Sequence, residues 1–334
     1  MNTITRERLF GYQHAFDHPV TIGMVLGLTL VVLLAPCVFL LLSRLGYIGA
    51  EQRRELFQRY WSWLVIIPLL LGPILLGAAW TIAGVAVLSL LCYQEYARAT
   101  GLFREKAISL AVVLGILAVT FATFDHWYDL FVALFPLCAG SIALVAILAD
   151  RPQGYIQRVA LGVLGFALFG CALGHLGYMA NEANYRPILL LILVAIGCND
   201  VFAYIVGKCL GRIPLAPHTS PRKTVGGALG ALVLTSLLVT VIGHFVFAGS
   251  LLDNLFFLLT LGALISILGQ FGDLMLSSIK RDLGIKDMGT TLPGHGGLLD
   301  RFDSLILVAP VAFHYVGYFI GFGLTEPARI LSRG

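Results

Sequence analysis

Long apolar stretches separated by short polar segments recur along almost the whole chain. A membrane-spanning helix needs about 20 predominantly apolar residues, so the pattern predicts an all-α, polytopic integral membrane protein with about ten transmembrane helices. The count is nine or ten, because the second and third stretches meet at Gly72-Pro73 and Gly77 as either a tight hairpin or one kinked helix. The predicted spans are 21–43, 61–77, 78–94, 107–124, 129–149, 159–180, 187–207, 225–248, 254–279 and 304–323.

Composition supports the same fold class. Of 334 residues, 58% are hydrophobic and 12% are charged. Soluble domains carry about 25% charged residues, so this chain lacks the polar side chains to cover a water-facing exterior. Disorder is excluded because it requires low hydrophobicity.

The basic residues indicate an orientation. Loops facing the cytoplasm collect Lys and Arg, and one set of alternating loops holds 17 of the 22 basic residues. This asymmetry predicts that these loops are cytoplasmic and that both termini lie outside. The five loops are 44–60, 95–106, 150–158, 208–224 and 280–303.

Three regions follow from this arrangement. Residues 1–60 are predicted to form an N-terminal transmembrane anchor and a basic connector, and the connector 44–60 is expected to lie on the membrane, with Trp61 and Trp63 at the interface. Residues 61–185 form the membrane helices of the N-terminal half. Residues 186–334 form the third region, which carries most of the polar chemistry.

Acidic residues within apolar spans are costly, at about 2.5–3.5 kcal/mol on insertion scales, and often mark function. Glu95 lies at a span end, where we interpret it as a carboxylate that reaches water, with a functional role as the alternative. Asp200, Tyr204 and Lys208 are four residues apart and share one helical face. An Asp–Lys pair is one interpretation of that face, and a polar site is the other.

The strongest such position is Asp273. On a helix it shares one face with Ser277, Lys280 and Arg281. Carboxylate and hydroxyl oxygens suit a hard cation such as Mg²⁺, and Lys and Arg suit phosphate oxygens. A charge cluster that merely ends the helix would explain the two cations but not the deeper carboxylate.

A glycine-rich loop follows over 282–303. Gly296 and Gly297 can present backbone amides to phosphate, and Asp300 and Asp303 are three residues apart at the start of the last span. These two carboxylates are either helix caps or, with Asp273, ligands of one or two divalent ions. Two such ions would stabilise the attacking and leaving oxygens of a phosphoryl or nucleotidyl transfer.

The loop 208–224 is a second candidate for anion binding. Ser220 and Lys223 precede the helix start at Val225-Gly226-Gly227, where free amides and the helix dipole favour anions. The alternative is a loop that is basic only because it is cytoplasmic.

A motif runs through two neighbouring segments, Ser277-x-Ile279-Lys280-Arg281 and Lys286-Asp287-x-Gly289-x-x-Leu292-Pro293-x-His295-Gly296-Gly297-Leu298-x-Asp300-Arg301-Phe302-Asp303. It resembles the signature of the phosphatidate cytidylyltransferases, or CDP-diacylglycerol synthases. The motifs Asp200-x-x-Ala203-Tyr204-x-x-Gly207 and Ser220-Pro221-x-Lys223-Thr224 are also similar to family motifs. The resemblance is clear over 190–320 and weaker over 80–185, where Glu95-Tyr96-Ala97-Arg98 is similar.

The resemblance implies an enzyme of a bacterial inner membrane that transfers a cytidylyl group from CTP to phosphatidate at the cytoplasmic face, with Mg²⁺ and either one or two cations. The implied partners are CTP, phosphatidate and the bilayer, with no nucleic acid. A homodimer is the assembly that we consider. It implies that Asp273 and Asp300 bind the metal and that His295 positions substrate. The implied catalytic residues are Asp273, Asp300, Lys280, Arg281 and His295, and the implied substrate-binding residues are Ser220, Lys223, Ser277, Lys286, Asp287, Gly296, Gly297, Arg301, Asp303, Asp200 and Tyr204.

One position departs from the family pattern. The family usually has Trp-Glu-Gly after Lys-Thr, whereas this chain has Val225-Gly226-Gly227, so an acidic group is missing. Two alternatives stay open: an enzyme that activates or phosphorylates a different lipid, such as a polyprenol, or an ion-coupled secondary transporter. Transporters commonly contain a structural repeat, and the two halves of this sequence show none.

Overall fold

The computed structural model describes residues 3–47, 49–289, 291, 296–322 and 329–332. The protein is a helical bundle, so the all-α prediction is confirmed, and ten of the described helices are long and apolar enough to span a membrane. A short helix, α1 (Thr3–Phe10), precedes them. The spanning helices are α2 (Pro19–Arg44), α3 (Ala50–Leu76), α4 (Ala78–Thr100), α5 (Lys106–Phe124), α6 (Tyr128–Ile147), α7–α8 (Tyr155–Met179), α9 (Tyr185–Leu210), α10 (Val225–Val246), α11 (Leu255–Asp282) and α12 (Leu299–Ile320).

The second and third predicted spans form a helical hairpin. Helix α3 ends before Gly77, whose φ of 138° is accessible mainly to glycine, and α4 begins at the next residue. A Cβ added at Gly84 would lie 3.2 Å from the Pro73 ring. Eleven residues of straight helix would separate these positions by about 16 Å, so the chain folds back at Gly77.

The predicted connector 44–60 is mostly helical. Helix α2 ends at Arg44 and α3 begins at Ala50, with the Gln52 side chain accepting a hydrogen bond from the Gly49 amide at 3.2 Å. Such a bond, from the N-cap amide to the side chain three residues later, is one half of a capping box and is typical of a helix N-terminus. Residues 50–60 of the predicted connector are continuous with the rest of α3, and the expectation that 44–60 lies on the membrane stays a prediction.

The C-terminal helices pack in sequence order at close range. Helix α9 packs on α10, α10 on α11, and α11 on α12. A Cβ added at Gly262 would lie 2.5 Å from the Ser236 Cα, and one at Gly272 would lie 2.6 Å from the Asp303 carbonyl oxygen. Small residues at such crossings let helix backbones approach closely in membranes. The Gly272 crossing matters most, because the adjacent residues of both helices are candidate site carboxylates.

At the opposite end of the bundle, turns and termini form a buried polar cluster. Asp125 accepts hydrogen bonds from the Leu331 and Ser332 amides, and Arg8 lies 3.5 Å from a ring nitrogen of His126. Burial and then the neighbouring Arg8 lower the pKa of His126 to about 4. His126 is therefore neutral at pH 7, and this end of the protein is separate from the candidate site residues.

Candidate active site

Two helices bring the two predicted metal-binding carboxylates to one region. Asp273 lies on α11, where it accepts a hydrogen bond from the Ser277 hydroxyl at 3.1 Å and pairs with Lys223 Nζ at 2.5 Å. Asp300 lies in the first turn of α12 and pairs with Lys280 Nζ at 2.8 Å. The predicted α11 face of Asp273, Ser277 and Lys280 therefore contributes to both ion pairs.

Asp300 also holds the glycine-rich loop 282–303, which carries most of the family signature and is called the signature loop below. Its Oδ2 accepts hydrogen bonds from the Met288 amide at 2.9 Å and from the Gly297 amide at 3.0 Å. Gly296 has a φ of 82°, and a Cβ there would lie 3.2 Å from the Asp300 carboxylate. Glycine is required at this turn because both the backbone angle and the space exclude larger residues. The amides predicted to face phosphate therefore face Asp300 in part.

Two further carboxylates complete the acidic group. Asp303 is buried on α12, where its Oδ1 accepts the Ser304 amide at 2.7 Å, and it interacts electrostatically with Asp273 and Asp200. Asp200, on α9, interacts in turn with Asp273, Lys223 and Arg301. Three helices thus bring Asp200, Asp273 and Asp303 within electrostatic range of one another, and the metal-binding role predicted for Asp273, Asp300 and Asp303 stays a prediction.

The predicted 208–224 loop is a β-hairpin. Strand β1 (Pro214–Ala216) pairs antiparallel with β2 (Ser220–Thr224), and Ala216 is the partner of Ser220. Lys223 follows on β2 and reaches Asp273. Arg281 on α11 donates to the Thr219 carbonyl at 3.3 Å, which ties the hairpin to the end of that helix. The hairpin therefore positions the basic side chain that the sequence placed in a loop.

The start of α10 explains the missing acidic residue. Thr224 caps the helix by accepting the Gly227 amide at 3.1 Å. A Cβ added at Gly226 would lie 3.0 Å from the Leu210 carbonyl oxygen, and one at Gly227 would lie 2.5 Å from the Ala203 carbonyl oxygen. Helix α9 approaches too closely for a glutamate at position 226 without a shift of backbone. The glycine pair is thus a packing feature of this chain.

Replacing Gly227 with alanine is expected to lower the free energy of unfolding by about 1–3 kcal/mol, the usual cost of overpacking. The new methyl group would meet backbone atoms of α9, which cannot rotate away. The measurement is the melting temperature of the purified protein in detergent. Gly197→Ala, at a position of α9 with no atom within 4 Å, is the control and should melt at or slightly above the wild-type temperature. Equal melting of the two variants would contradict the close approach.

Glu95 has a role that the sequence analysis did not favour. It is 7% exposed, and its carboxylate accepts hydrogen bonds from the Thr291 hydroxyl at 2.5 Å, the Leu298 amide at 2.9 Å and the Leu299 amide at 2.8 Å. The last two amides start α12, where helix N–H groups lack internal partners. The interpretation as a carboxylate that reaches water was wrong. The similarity of the Glu95-Tyr96-Ala97-Arg98 segment to the family was the available signal.

A buried polar network lies next to Asp200 on α9 and within two turns of Asp273 on α11. The Asn199 side-chain oxygen accepts from the Thr235 hydroxyl at 3.0 Å and the Ser266 hydroxyl at 2.6 Å. Gln270 donates to the Ser266 hydroxyl at 3.2 Å. These hydrogen bonds link α9, α10 and α11, while the Asn199 side-chain nitrogen is buried without a hydrogen-bond partner among the described residues.

The remaining predicted residues occupy different surroundings. Tyr204 is 62% exposed, and Lys208 Nζ lies 4.8 Å from its ring centroid. Lys286 and Asp287 are exposed in the loop, and Arg301 is exposed on α12. His295 lies outside the described residues. The predicted roles of these residues in substrate binding stay predictions.

The donor set suits a hard divalent cation in its chemistry. Mg²⁺ commonly binds through one or two carboxylates, several waters and substrate phosphates. Asp273 supplies carboxylate oxygens beside the Ser277 hydroxyl, and Asp300 supplies a second carboxylate, which is paired with Lys280 of the same helix face. Among the described residues no group of three or more Asp, Glu, His or Cys forms a ready cage. A metal held mainly by two carboxylates and by substrate fits this arrangement.

Fold and site together define a polytopic membrane protein with an acidic and basic site for phosphate chemistry. Residues 57–319, which make up more than half of the chain, match the model of the Cytidylyltransferase family. The protein therefore belongs to that family. Helix α2 precedes the matched range.

Individual relatives agree with this assignment. The chain is 34% identical over 271 residues to the phosphatidate cytidylyltransferase of Helicobacter pylori, covering 80% of this chain and 95% of that protein. It is 34% identical over 296 residues to that of Synechocystis, covering 78% and 96%. It is also 33% identical over 268 residues to the uncharacterized protein YnbB of Escherichia coli, covering 78% and 86%.

Proposed function

We propose that the protein is a CTP-dependent nucleotidyltransferase that converts phosphatidate and CTP into CDP-diacylglycerol and pyrophosphate for phospholipid synthesis. The observation that supports this most directly is the signature loop held between Asp300 and Glu95 in a chain that belongs to the cytidylyltransferase family. Membership applies to the whole bundle, because the family match covers nine of the ten described spans at least in part. Neither alternative lipid chemistry nor transport has a specific observation in its favour.

The reaction we propose is an in-line displacement. A phosphate oxygen of phosphatidate forms a bond to the α-phosphorus of CTP, and the bond from that phosphorus to the bridging oxygen of the β-phosphate breaks, releasing pyrophosphate. A phosphate monoester has a second pKa of about 6 and is a nucleophile at neutral pH without a dedicated general base. In this reaction phosphate oxygens of the substrates would be bound by Lys223, Lys280, Arg281 and Arg301.

Asp273 and Asp300 would hold Mg²⁺, which when bound supplies charge neutralisation at the phosphate oxygens. Lys223 and Lys280 pair with these carboxylates, and their ammonium groups can exchange a carboxylate for a phosphate oxygen when CTP binds. The exchange keeps each lysine neutralised, so binding does not leave a buried charge unpaired. The same two residues would then contact the triphosphate.

We also propose that the protein lies in a bacterial inner membrane with this site at the cytoplasmic face and both termini outside. The support is the placement of 17 of the 22 basic residues in the loops at the site's end together with an even number of described spans. A homodimer stays a prediction.

The test uses purified protein in detergent with labelled CTP, phosphatidate and Mg²⁺. Lipid-soluble label that is abolished by chelation, and that is restored by added Mg²⁺, is expected. A parallel reaction with a polyprenol and a polyprenyl phosphate distinguishes the alternative lipid chemistries. No CDP-lipid from folded protein under any metal condition would refute the proposed function.

A further inference from the structure

A basic cavity lies in the N-terminal half of the protein, apart from the candidate active site. It has a volume of about 280 Å³ and lies between the α4–α5 turn and the α6–α7 turn. Four cationic side chains and one carboxylate line it: Arg104, Lys106, Arg151, Arg158 and Glu105. None of these residues belongs to the signature or to the carboxylate group of the site.

The cations of this cavity are only partly neutralised. Glu105 lies 3.6 Å from Arg151. The other three cations have no further carboxylate among the residues that line the cavity, because the nearby Asp150 does not line it. A loop that is basic only for topology needs no such convergence, because the positive-inside rule counts charges and not their geometry. Here two loops that are distant in sequence direct their charges into one concave space.

Arg158 shows how the cavity is built. Its guanidinium donates to the carbonyl oxygens of Gln153, at 3.1 Å, and of Arg151, so it fixes the α6–α7 turn. Its Nε is buried and has no hydrogen-bond partner among the described residues. A buried donor without an acceptor costs about 1–3 kcal/mol. Because this atom is closed to solvent, Arg158 contributes its positive charge to the cavity and not this donor.

The first turn of α5 adds to the positive potential. Lys106 is the first residue of this 19-residue helix, and residues 106–108 line the cavity. In the described structure no side chain caps this helix start, so its amide groups are available. Helix N-termini with free amides favour anions, and phosphate above all.

The surroundings of the cavity indicate that the anion is part of a lipid. Leu148 is 83% exposed, Ile156 is 76% exposed and Phe103 is 50% exposed, and each lies within three residues of a lining residue. In a membrane protein exposed apolar side chains such as these can contact acyl chains. A phospholipid can place its headgroup phosphate among the cations and its acyl chains along these apolar side chains, whereas a soluble anion would use only the cations.

We propose that this basic cavity binds the headgroup phosphate of an anionic phospholipid from the leaflet at the site's end of the bundle. The site is independent of the reaction proposed above and shares none of its residues.

The test is native mass spectrometry of the full-length protein in a neutral detergent, titrated with phosphatidylglycerol, with phosphatidylcholine of the same acyl chains, and with inorganic phosphate. The test variant is Lys106→Gln/Arg151→Gln. The control is Arg53→Gln/Arg54→Gln, two exposed arginines on α3 that change the net charge equally. We expect the test variant to weaken phosphatidylglycerol binding about tenfold and the control to leave it unchanged.

Equal loss in both variants would overturn the proposal, because it would show a general charge effect. Phosphatidylcholine binding as tight as phosphatidylglycerol would overturn it as well. Inorganic phosphate that displaces the lipid completely at equal concentration would assign the cavity to a soluble anion instead. If the test variant melts early, Arg104→Gln/Lys106→Gln, which leaves the Arg151–Glu105 pair intact, replaces it with the same expected result.

Discussion

The variant Asp273→Asn is expected to reduce cytidylyl transfer about 10³-fold while the protein stays folded. Asparagine keeps the shape of the side chain and the hydrogen bond from Ser277, but it removes the charge that pairs with Lys223 and that would hold Mg²⁺. Charge stabilisation at the transferred phosphoryl group contributes several kcal/mol, and about 4 kcal/mol corresponds to a factor of 10³ in rate. The measurement is the initial rate of CDP-lipid formation at saturating CTP and phosphatidate.

The matched control is Asp282→Asn, at an exposed carboxylate that ends the same helix. It removes the same charge from α11 and should keep the activity within about twofold, as is usual for surface changes. Retention of more than a tenth of the wild-type rate by Asp273→Asn, with normal melting, would remove Asp273 from the proposed metal site.

The Lys223–Asp273 pair makes this prediction sharper. If the two side chains act as a unit, the double variant Lys223→Met/Asp273→Asn should lose little more activity than Asp273→Asn alone, because residues in contact do not contribute additively. Additive losses would instead mean that Lys223 acts on substrate phosphate without first pairing with Asp273. Either result assigns the role of the lysine.

Much of the fold was readable from the sequence because a membrane leaves few alternatives. Backbone groups in lipid must be satisfied internally, so each long apolar stretch had to be a helix, and the ten described spans agree with that. The hairpin at Gly77 was left open because Gly72-Pro73 and Gly77 are equally compatible with a kink. The contact between Gly77 and Leu9 involves a residue 68 positions away, which local pattern cannot supply.

The site was predictable where its chemistry is local and unpredictable where its geometry is not. Asp273, Ser277 and Lys280 share a helix, and helical spacing alone places them on one face. The β-hairpin before α10 escaped prediction because strands of three and five residues carry too little alternation. Glu95 escaped it because its partners are the amides and hydroxyl of residues 196 to 204 positions later in the chain.

The acidic position that the family usually fills at residue 226 illustrates a third case. Sequence comparison with the family pattern registers a missing charge, whereas the structure shows a tight crossing of α9 and α10 at that point. Gly226 and Gly227 allow α9 to approach α10 closely. Asp200 lies on α9 and interacts with Asp273, so α9 brings an acidic residue to the site. Asp200 belongs to a family motif of its own, so it contributes to the site without replacing the acidic residue that is missing at position 226.

Glu95→Gln is expected to lower kcat about 10²-fold, although Glu95 is a positioning residue with no proposed contact to substrate. Glutamine offers one acceptor oxygen in place of two. Its amide NH₂ group is a donor and would face backbone amides of α12 that need acceptors. Hydrogen bonds to charged groups contribute about 1.5–3 kcal/mol each. Loss of one or two of them frees the start of α12, which carries Asp300, and a displacement of about 1 Å in a reacting site can cost 10²-fold in rate.

A graded series separates positioning from plain stability. Thr291→Val removes only the hydroxyl hydrogen bond at 2.5 Å and leaves both α12 amides bound to Glu95, so it should cost least. Glu95→Gln should cost more, and Glu95→Ala should cost most. Gln94→Ala, at the exposed neighbouring residue of α4, is the control and should behave as wild type. Because Asp300 and the Gly297 amide move together when the loop is released, kcat should fall while KM for phosphatidate changes little. A Glu95→Gln protein that melts early but turns over normally at low temperature would show that the carboxylate stabilises the bundle without positioning the signature loop.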